Sequence, residues 1–329
     1  MKKILIICLL FVLTACSSSN SKKNKVTIGI IRVPNDTVLA IQNKWIEEAF
    51  EPLGLEVEFR FFDSGVSMNQ AFASGSLDIA EMGFTNAVVA LHKKLPVELF
   101  WIHDVIGESE ALVVNDESIT DISQLKGKKI ATIFNSTSHL SLLKALELNG
   151  LSSNDVTLLN MQTAEIVAAW NRGDLDAAYT WEPTLSSIKE SGKVLIDSSE
   201  LAKDGLMTTN VGLVHKDFAE NHEDALKEFI KALDKAYQLR ERSFDTVVSD
   251  TEDYLGITKE QAEIQLKGSK WISKEEMISD TFMGKDYLDV FYETSVFWES
   301  NGFIDSELDM KDIEAFINTD YIEAVINDD

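Results

Sequence analysis

The sequence predicts an α/β protein of two lobes, each a parallel sheet covered by helices. Segments that alternate like strands are interleaved with segments of helical spacing, an order typical of sheets covered by helices. Residues 71–80 resemble residues 169–178 and share half of their positions, which indicates two lobes of similar topology. The length of 329 residues with 45% hydrophobic side chains is enough for two packed lobes.

The first elements follow one another closely along the chain. An apolar segment that alternates with Thr27 and Gly29 and ends at Pro34 predicts the first strand. Apolar residues at helical spacing then predict a helix before the pattern returns to alternation. The predicted strands are 26–33, 55–62 and 77–80, and the predicted helices are 37–50, 67–73 and 86–92.

The second half repeats this order. A strand at 110–114 is predicted to cross between the lobes, and one at 211–215 to return. Between and after them we expect a loop with a short helix at 121–127, a strand at 129–134, and helices at 139–148, 221–240, around Gln261 and at 287–301. The predicted organisation is a signal segment 1–15, a tether 16–25, a first lobe 26–110, a second lobe 111–210, and residues 211–329 completing the first lobe.

The N-terminus has the pattern of an export signal. Two lysines precede an apolar run at 4–13, which is about half the length needed to span a bilayer. The run ends in Leu13-Thr14-Ala15-Cys16, which resembles the lipobox of bacterial lipoproteins. The resemblance implies that Cys16 is lipidated, carries fatty acids such as palmitate, and anchors the chain to the outer face of the cytoplasmic membrane. The alternative is a cleaved secretory signal whose alanine happens to precede a cysteine.

Charge and cysteine content exclude several classes of function. The chain carries 30 basic and 55 acidic residues, a formal charge of -25, which argues against nucleic acid as a partner. Both cysteines lie in the first sixteen residues, so the mature chain has no pair for an intramolecular disulfide. The sequence has no glycine-rich phosphate loop and no paired histidines at metal-ligand spacing. We therefore expect no cofactor and no metal.

Two segments lead from a predicted strand into a predicted helix. They are residues 62–65 and 134–139, and the N–H groups that open a helix are unpaired and attract anions. Each loop alone is explained by N-capping through Ser64, Ser136 or Ser138. Two equivalent loops on opposite lobes favour a shared cleft. Ser138 beside His139 lacks the setting of a catalytic nucleophile, because adjacent side chains rarely face each other.

Several segments, in order, resemble the taurine-binding proteins of bacterial ABC importers, within the family of sulfonate, nitrate and taurine receptors. They are residues 62–65, 73–79, 107–114, 136–143, 168–176 and Tyr179-Thr180-Trp181-Glu182-Pro183. The similarity runs from about residue 26 to residue 218. It implies a type II periplasmic-binding-protein-like Venus flytrap, in which each lobe is a mixed sheet flanked by helices and two crossing strands join the lobes. Such a protein closes on a small solute and delivers it to an ABC permease with its ATPase.

The resemblance also implies binding residues. A sulfonate would meet helix ends and polar side chains, and Trp181 would lie under an ammonium, which contributes about 0.5 to 2 kcal/mol. Either Glu110 or Glu182 would neutralise that ammonium. The predicted anion ligands are Ser64, Thr85, Ser136, Thr137 and His139.

One position departs from the family. Asn210 stands where the family often carries an aspartate, which favours a sulfonate without the amine or another small anion. A second hypothesis keeps the fold but binds a nitrate-like anion or a thiamine pyrimidine precursor, whose ring Asp63, Trp181 and Glu182 would face. A third, an enzyme on this fold, lacks a reactive residue in the sequence.

Overall fold

A computed structural model describes residues 24–328 of the chain. The predicted signal segment 1–15, the lipidation site Cys16 and the tether as far as residue 23 lie outside the described residues. Within residues 24–328, no helix is both long enough and apolar enough to cross a bilayer.

The first part of the chain alternates strands with helices. Short 3₁₀ turns occur at Glu51–Leu53, Ile122–Leu125 and Ser153–Asp155. The elements are β1 (Lys25–Ile30), α1 (Asp36–Gln42), α2 (Trp45–Phe50), β2 (Glu56–Phe61), α3 (Gly65–Ala73), β3 (Ile79–Gly83), α4 (Phe84–His92) and β4 (Val97–Ile106).

The middle of the chain builds a second sheet. Its elements are β5 (Glu110–Val114), β6 (Lys129–Thr132), α5 (Thr137–Leu148), β7 (Thr157–Asn160), α6 (Thr163–Asn171), β8 (Ala177–Trp181), α7 (Thr184–Lys189), β9 (Lys193–Asp197) and α8 (Ser198–Lys203).

The last part returns to the first sheet and is mostly helical. Its elements are β10 (Thr209–His215), α9 (Lys216–Asn221), α10 (Glu223–Arg242), α11 (Phe244–Leu255), α12 (Lys259–Lys267), β11 (Ser269–Lys270), α13 (Lys274–Met277), α14 (Lys285–Ser300), α15 (Met310–Phe316) and α16 (Asp320–Asp328).

The two sheets share one topology. The first has the order β11-β4-β10-β3-β1-β2, and the second has the order β7-β6-β8-β5-β9. In the first, β2, β1 and β3 are parallel and β10 is antiparallel to β3. In the second, β7, β6 and β8 are parallel and β5 is antiparallel to β8. The two-lobed α/β fold is confirmed, with equivalent strands in equivalent places.

The repeated Leu-Asp pair has a structural role in both lobes. One oxygen of Asp78 accepts the N–H of Thr27, and one oxygen of Asp176 accepts the N–H of Lys129, both at 2.8 Å. Each carboxylate thus holds the start of the neighbouring parallel strand. The preceding Gly75 and Gly173 have φ values of +66° and +75°, which L side chains rarely adopt.

Several predicted boundaries differ from the structure. The strand predicted to cross, β5, pairs along its length with β8 and β9 inside the second sheet. The chain instead crosses between the lobes at residues 107–109 and again at residues 204–208. The two crossings lie side by side, because the N–H of Ile106 donates to the carbonyl of Thr208. β1 ends at Ile30 instead of residue 33, and β3 starts at Ile79 instead of residue 77.

Two further differences concern whole elements. The single helix predicted at 37–50 is two helices, because Lys44 has φ +58° and the Asn43 side chain bonds back to the carbonyl of Leu39. Strand β4, which lies between β11 and β10, was not predicted. Seven of its ten residues are apolar and nearly all are buried, so it lacks the alternation that marks a half-buried strand.

The core lies on both faces of each sheet. In the second lobe, Leu112 and Val114 of β5 belong to one cluster, and Ala111 and Val113 belong to another on the opposite face. Each fully buried aliphatic side chain stabilises the fold by about 1.5 to 3 kcal/mol. The rigid sheets therefore hold the loops at their ends in place.

Candidate ligand-binding cleft

The starts of α3 and α5 meet at one cavity between the two lobes. The first lobe contributes Ser64, Gly65 and Val66, and the second contributes Ser136 and Thr137. The cavity holds about 70 Å³. Since one water needs about 10 to 15 Å³ by this measure, the space suits a ligand of a few non-hydrogen atoms.

The two helix starts use their serines differently. Ser64 precedes α3 with extended backbone, and its hydroxyl does not cap the helix. Ser136 does cap α5, because its hydroxyl accepts the N–H of His139 at 3.3 Å and donates to the carbonyl of Ile133 at 2.6 Å. The Ser64 hydroxyl and the first N–H groups of both helices are therefore better placed as donors than the Ser136 hydroxyl.

Glu110 lies at the cavity with its carboxylate bonded to several hydroxyls. One oxygen accepts Thr137 at 2.5 Å and Ser138 at 2.8 Å, and the other accepts Ser198 at 3.0 Å and Ser141 at 3.4 Å. Burial raises the pKa of Glu110, and these four hydroxyls oppose the rise. The Thr137 proton is directed at Glu110, so Thr137 offers a ligand its backbone N–H and an oxygen lone pair.

Trp181 and Glu182 lie at the cavity where β8 ends. Trp181 is half-buried, and its indole forms part of the wall. One oxygen of Glu182 accepts the N–H of Ser186 at 2.9 Å in the first turn of α7. Burial raises the pKa of Glu182, and the bonds from Ser186 lower it.

Asn210 is paired with a carboxylate that the sequence analysis did not single out. Asn210 and Asp104 are opposite each other on β10 and β4, and the Asn210 amide N–H donates to Asp104 at 2.9 Å. Burial raises the pKa of Asp104 to about 6, against lowering by Asn210, His103 and the hydroxyl of Ser269. The negative charge that the sequence lacks at position 210 is supplied on the adjacent strand.

A buried polar cluster lies behind Asp104. One oxygen of Asp36 lies 2.6 Å from His103 Nδ1, and the other accepts the Trp101 indole N–H at 2.8 Å. Glu81 accepts the N–H of Ile31 and the amide of Asn35, both at 2.8 Å. This cluster therefore anchors the loop after β1, of which Ile31, Val33 and Pro34 line the cavity.

The cluster contains groups with displaced pKa values. Burial raises the pKa of Glu81 to about 7, and the charge of His103 opposes that rise. Burial by itself would lower the pKa of His103, but the carboxylates of Asp36, Glu81 and Asp104 together outweigh it and the pKa is raised.

Thr85 is one of two predicted ligands that do not line this cavity. Its hydroxyl donates to the carbonyl of Asn135 at 3.1 Å, and the Asn86 amide donates to the same carbonyl at 3.0 Å. Both donors belong to α4 of the first lobe, and the acceptor lies in the loop before α5. Gly83 lies so close to Thr137 that a Cβ would stand 2.8 Å from its methyl group. The lobes are thus in direct contact here.

His139 is the other predicted ligand that does not line this cavity. Its ring stacks on Phe134 at 4.5 Å between centroids and meets Phe303 edge-on at 4.7 Å, with Trp298 at 5.5 Å. Burial lowers its pKa to about 4, so the ring is neutral at physiological pH. Asp63, proposed for a pyrimidine ligand, also does not line the cavity.

Part of the cavity wall was not predicted from the sequence. Asp104, Ser109, Gln265 and Ser269 line it, and three of them come from elements that were unpredicted or only vaguely placed. A charged residue near the end of an apolar segment was a usable signal for Asp104. No sequence signal pointed to Gln265, which reaches the cavity only because α12 packs against the first crossing. Within the part of the chain that the structure describes, no group of three His, Cys, Asp or Glu residues is arranged to hold a metal.

Comparison with known proteins defines the class. The model of the family described as the substrate binding domain of ABC-type glycine betaine transport system matches residues 24–254. This match covers more than half of the chain, and the chain belongs to this family of substrate-binding domains.

Individual relatives are similar over different lengths. The taurine-binding periplasmic protein of Escherichia coli (strain K12) is 42% identical over 185 residues, which cover 56% of this chain and 58% of that protein. A "putative aliphatic sulfonates-binding protein" of Bacillus subtilis (strain 168) is 30% identical over 325 residues, which cover 95% of this chain and 94% of that protein.

A solved structure shares the fold. The alkanesulfonate-binding protein from Xanthomonas axonopodis pv. citri, bound to MOPS, superposes with a TM-score of 0.75 over 90% of this chain and 98% of that one, at 20% identity. The three proteins named here are binding proteins, which agrees with the prediction that this chain is not an enzyme, whereas a desulfurization enzyme shares only the fold.

Proposed function

We propose that this chain is the solute receptor of an ABC importer for a small sulfonate such as taurine. The observation that carries the proposal is the pair of helix starts, at α3 and α5, that reach one small cavity from opposite lobes. Their unpaired N–H groups and the Ser64 hydroxyl would hold the sulfonate oxygens. The two sulfonate-class relatives support the ligand class.

Closure of the lobes is part of the proposed mechanism. Micromolar affinity corresponds to about 8 kcal/mol, which a few charge-assisted hydrogen bonds supply only in a desolvated cleft. The proposed lobes are residues 26–106 with 209–328, and residues 110–203, with 107–109 and 204–208 as the two crossings. A permease that contacts both lobes would recognise the closed form, and its ATPase would drive release of the solute into the transport path.

Ligand-dependent stability tests this function. We expect taurine or ethanesulfonate, at about a hundred times the dissociation constant, to add about 2.7 kcal/mol and raise the melting temperature by several degrees. Alanine serves as the negative control, and nitrate and a thiamine pyrimidine precursor serve as rival ligands. The proposal is wrong if neither sulfonate raises the melting temperature, and a shift with a rival alone would reassign the ligand.

We also propose that the receptor is held at the membrane by lipid on Cys16, with residues 1–15 removed as a signal and residues 16–25 as tether. In a Gram-positive host, Cys16→Ala would move the protein from the membrane fraction to the medium and abolish labelling by an alkyne fatty acid. Cys8→Ala, inside the signal segment, is the matched control and would leave both unchanged. Labelling of the Cys16→Ala protein would contradict the assignment.

A further inference from the structure

One end of the cavity is built from polar groups of the first lobe that the proposed sulfonate contacts do not use. Asp104 and Asn210 lie on neighbouring strands, and Gln265 and Ser269 come from α12 and β11. Gln265 is 3% exposed, and neither its amide oxygen nor its amide nitrogen has a hydrogen-bond partner among the described residues. A buried amide left unpaired costs about 1 to 3 kcal/mol, so this side chain lacks a partner that a ligand can supply.

The charge of the cavity wall is negative. Of the described residues that line it, three are carboxylates, Asp104, Glu110 and Glu182, and none is lysine, arginine or histidine. Glu110 is occupied by four hydroxyls and Glu182 by the N–H of Ser186. A bare anion would therefore enter a cavity whose fixed charges repel it, unless it brings a positive group of its own.

The groups around Asp104 leave its charge available to the cavity. His103 and Asp36 lie behind it and are paired with each other. Burial lowers the pKa of Arg240, and the charges of Glu241 and Asp104 oppose that lowering. The Arg240 guanidinium donates to the carbonyls of Leu266 and Ser269 and is not part of the lining. Asp104 accepts two neutral donors, the Asn210 amide N–H and the Ser269 hydroxyl, so its negative charge is only partly compensated and a cation in the cavity can pair with it.

We infer that this end of the cleft binds an N–H-bearing cation, a primary or secondary ammonium, on the same ligand whose sulfonate meets the starts of α3 and α5. The inference rests on the proposed function and narrows its ligand to an amino-sulfonate zwitterion. Asp104 supplies the charge, and Gln265 supplies an amide oxygen. Because the Asn210 N–H is turned to Asp104, the Asn210 oxygen is left as a further acceptor.

The same groups select against a quaternary ammonium. Such a cation has no N–H to donate and is recognised by several aromatic faces. Among the described lining residues the only aromatic side chain is Trp181, while the other end presents carboxylate and amide acceptors. The site therefore fits taurine better than its trimethylated analogue or glycine betaine.

Calorimetric titration with three ligands tests the inference: taurine, N,N,N-trimethyltaurine and ethanesulfonate. For the wild-type protein we expect taurine to bind at least about tenfold more tightly than the other two, since a hydrogen bond to a charged group contributes about 1.5 to 3 kcal/mol. In Asp104→Asn this preference falls to about threefold or less, with ethanesulfonate bound as tightly as before or more tightly. Asp174→Asn, on an exposed loop, is the matched control and keeps the preference within about twofold.

The outcomes separate the two proposals. Equal wild-type affinity for taurine and ethanesulfonate, or an undiminished preference in Asp104→Asn, overturns the inference and leaves the sulfonate receptor standing. Failure of all three ligands to bind the wild-type protein overturns the proposed function, and the inference with it. If Asp104→Asn does not fold, as shown by circular dichroism, Gln265→Met takes its place and must reduce the taurine preference at least about threefold.

Discussion

The buried carboxylate of Glu110 links two helices of the second lobe. Its two oxygens join the first two turns of α5, through Thr137, Ser138 and Ser141, to the start of α8, through Ser198. Glu110→Gln replaces one acceptor oxygen with a donor that faces hydroxyls already in place. We expect the free energy of unfolding to fall by about 1 to 3 kcal/mol and sulfonate affinity to weaken, because the first turn of α5 loses its support.

Urea unfolding and calorimetric titration measure these two effects. The control is Glu108→Gln, two residues away and exposed, which should change stability by no more than about 0.5 kcal/mol. An unchanged unfolding free energy in Glu110→Gln would contradict the structural role given to this residue.

At the residue scale, the predictions agree with the structure where they depend only on residues that are neighbours in the sequence. Ser64, Ser136 and Thr137 reach the cavity because each stands at a helix start that follows a strand, a pattern that is visible in the chain. The hydrogen-bond partners of a hydroxyl group, in contrast, can lie far away in the sequence. That Thr137 donates to Glu110, and Thr85 to Asn135, depends on elements far apart in sequence. Asn210 was interpreted as a lost charge because its neighbour Asp104 lies on a strand that was not predicted.

At the scale of elements, the contact of α4 with the loop before α5 joins the lobes. Thr85 and Asn86 donate to a single carbonyl of Asn135, and these bonds exist only while the lobes are together. We propose that Thr85 contributes to closure instead of binding the anion. Thr85→Val keeps the shape and removes one neutral hydrogen bond of about 0.5 to 1.5 kcal/mol, so the taurine dissociation constant should rise about 2- to 10-fold.

Titration calorimetry gives this change directly. Thr157→Val, on an exposed strand position of the second lobe, is the matched control and should bind taurine like the wild type. If Thr85→Val and the control bind equally tightly, the bond to Asn135 makes no contribution to the liganded form.

Elements were predictable from the sequence where their pattern was strong. The pairs α3 with β3 and α6 with β8 were found through their shared residues, which indicated two lobes of similar topology, but the strand order of the sheets was not predicted. β4 was not found, because a strand buried on both faces has no alternation to show. The break between α1 and α2 depends on the positive φ of Lys44, a conformation that a lysine in the sequence does not predict.

At the scale of the whole molecule, the buried acids make stability depend on pH. Glu81 has its pKa raised from 4.5 to about 7 by burial, so the folded protein keeps this proton in a range where the unfolded chain has lost it. The free energy of unfolding therefore falls as pH rises from about 4.5 to 7. The raised pKa values of Asp104 and His103 act in the same direction, and the lowered pKa of His139 acts in the opposite direction between about 4 and 6.5.

Glu81→Gln isolates this contribution, because the amide resembles the protonated acid and does not titrate. Between pH 4.5 and 7 we expect the fall in unfolding free energy to be smaller than in the wild type by up to about 3 kcal/mol, since each pKa unit corresponds to about 1.4 kcal/mol. Urea unfolding at several pH values measures it. Glu117→Gln, on an exposed turn, should follow the wild-type curve; a Glu81→Gln curve parallel to the wild type would contradict the raised pKa.

The crossing between the lobes has a mechanical consequence. The carbonyl of Gly268 accepts the N–H of Gly107 at 3.1 Å and of Ser109 at 3.0 Å, and it stands between Gln265 and Ser269, which both face the cavity. The segment that would contact a ligand, residues 265–269, is therefore hydrogen-bonded to the crossing 107–109, about which the lobes would rotate. Because Gln265 lies only a few residues from the proposed hinge, we expect a displacement of Gln265 by a bound ligand to be transmitted directly to that hinge.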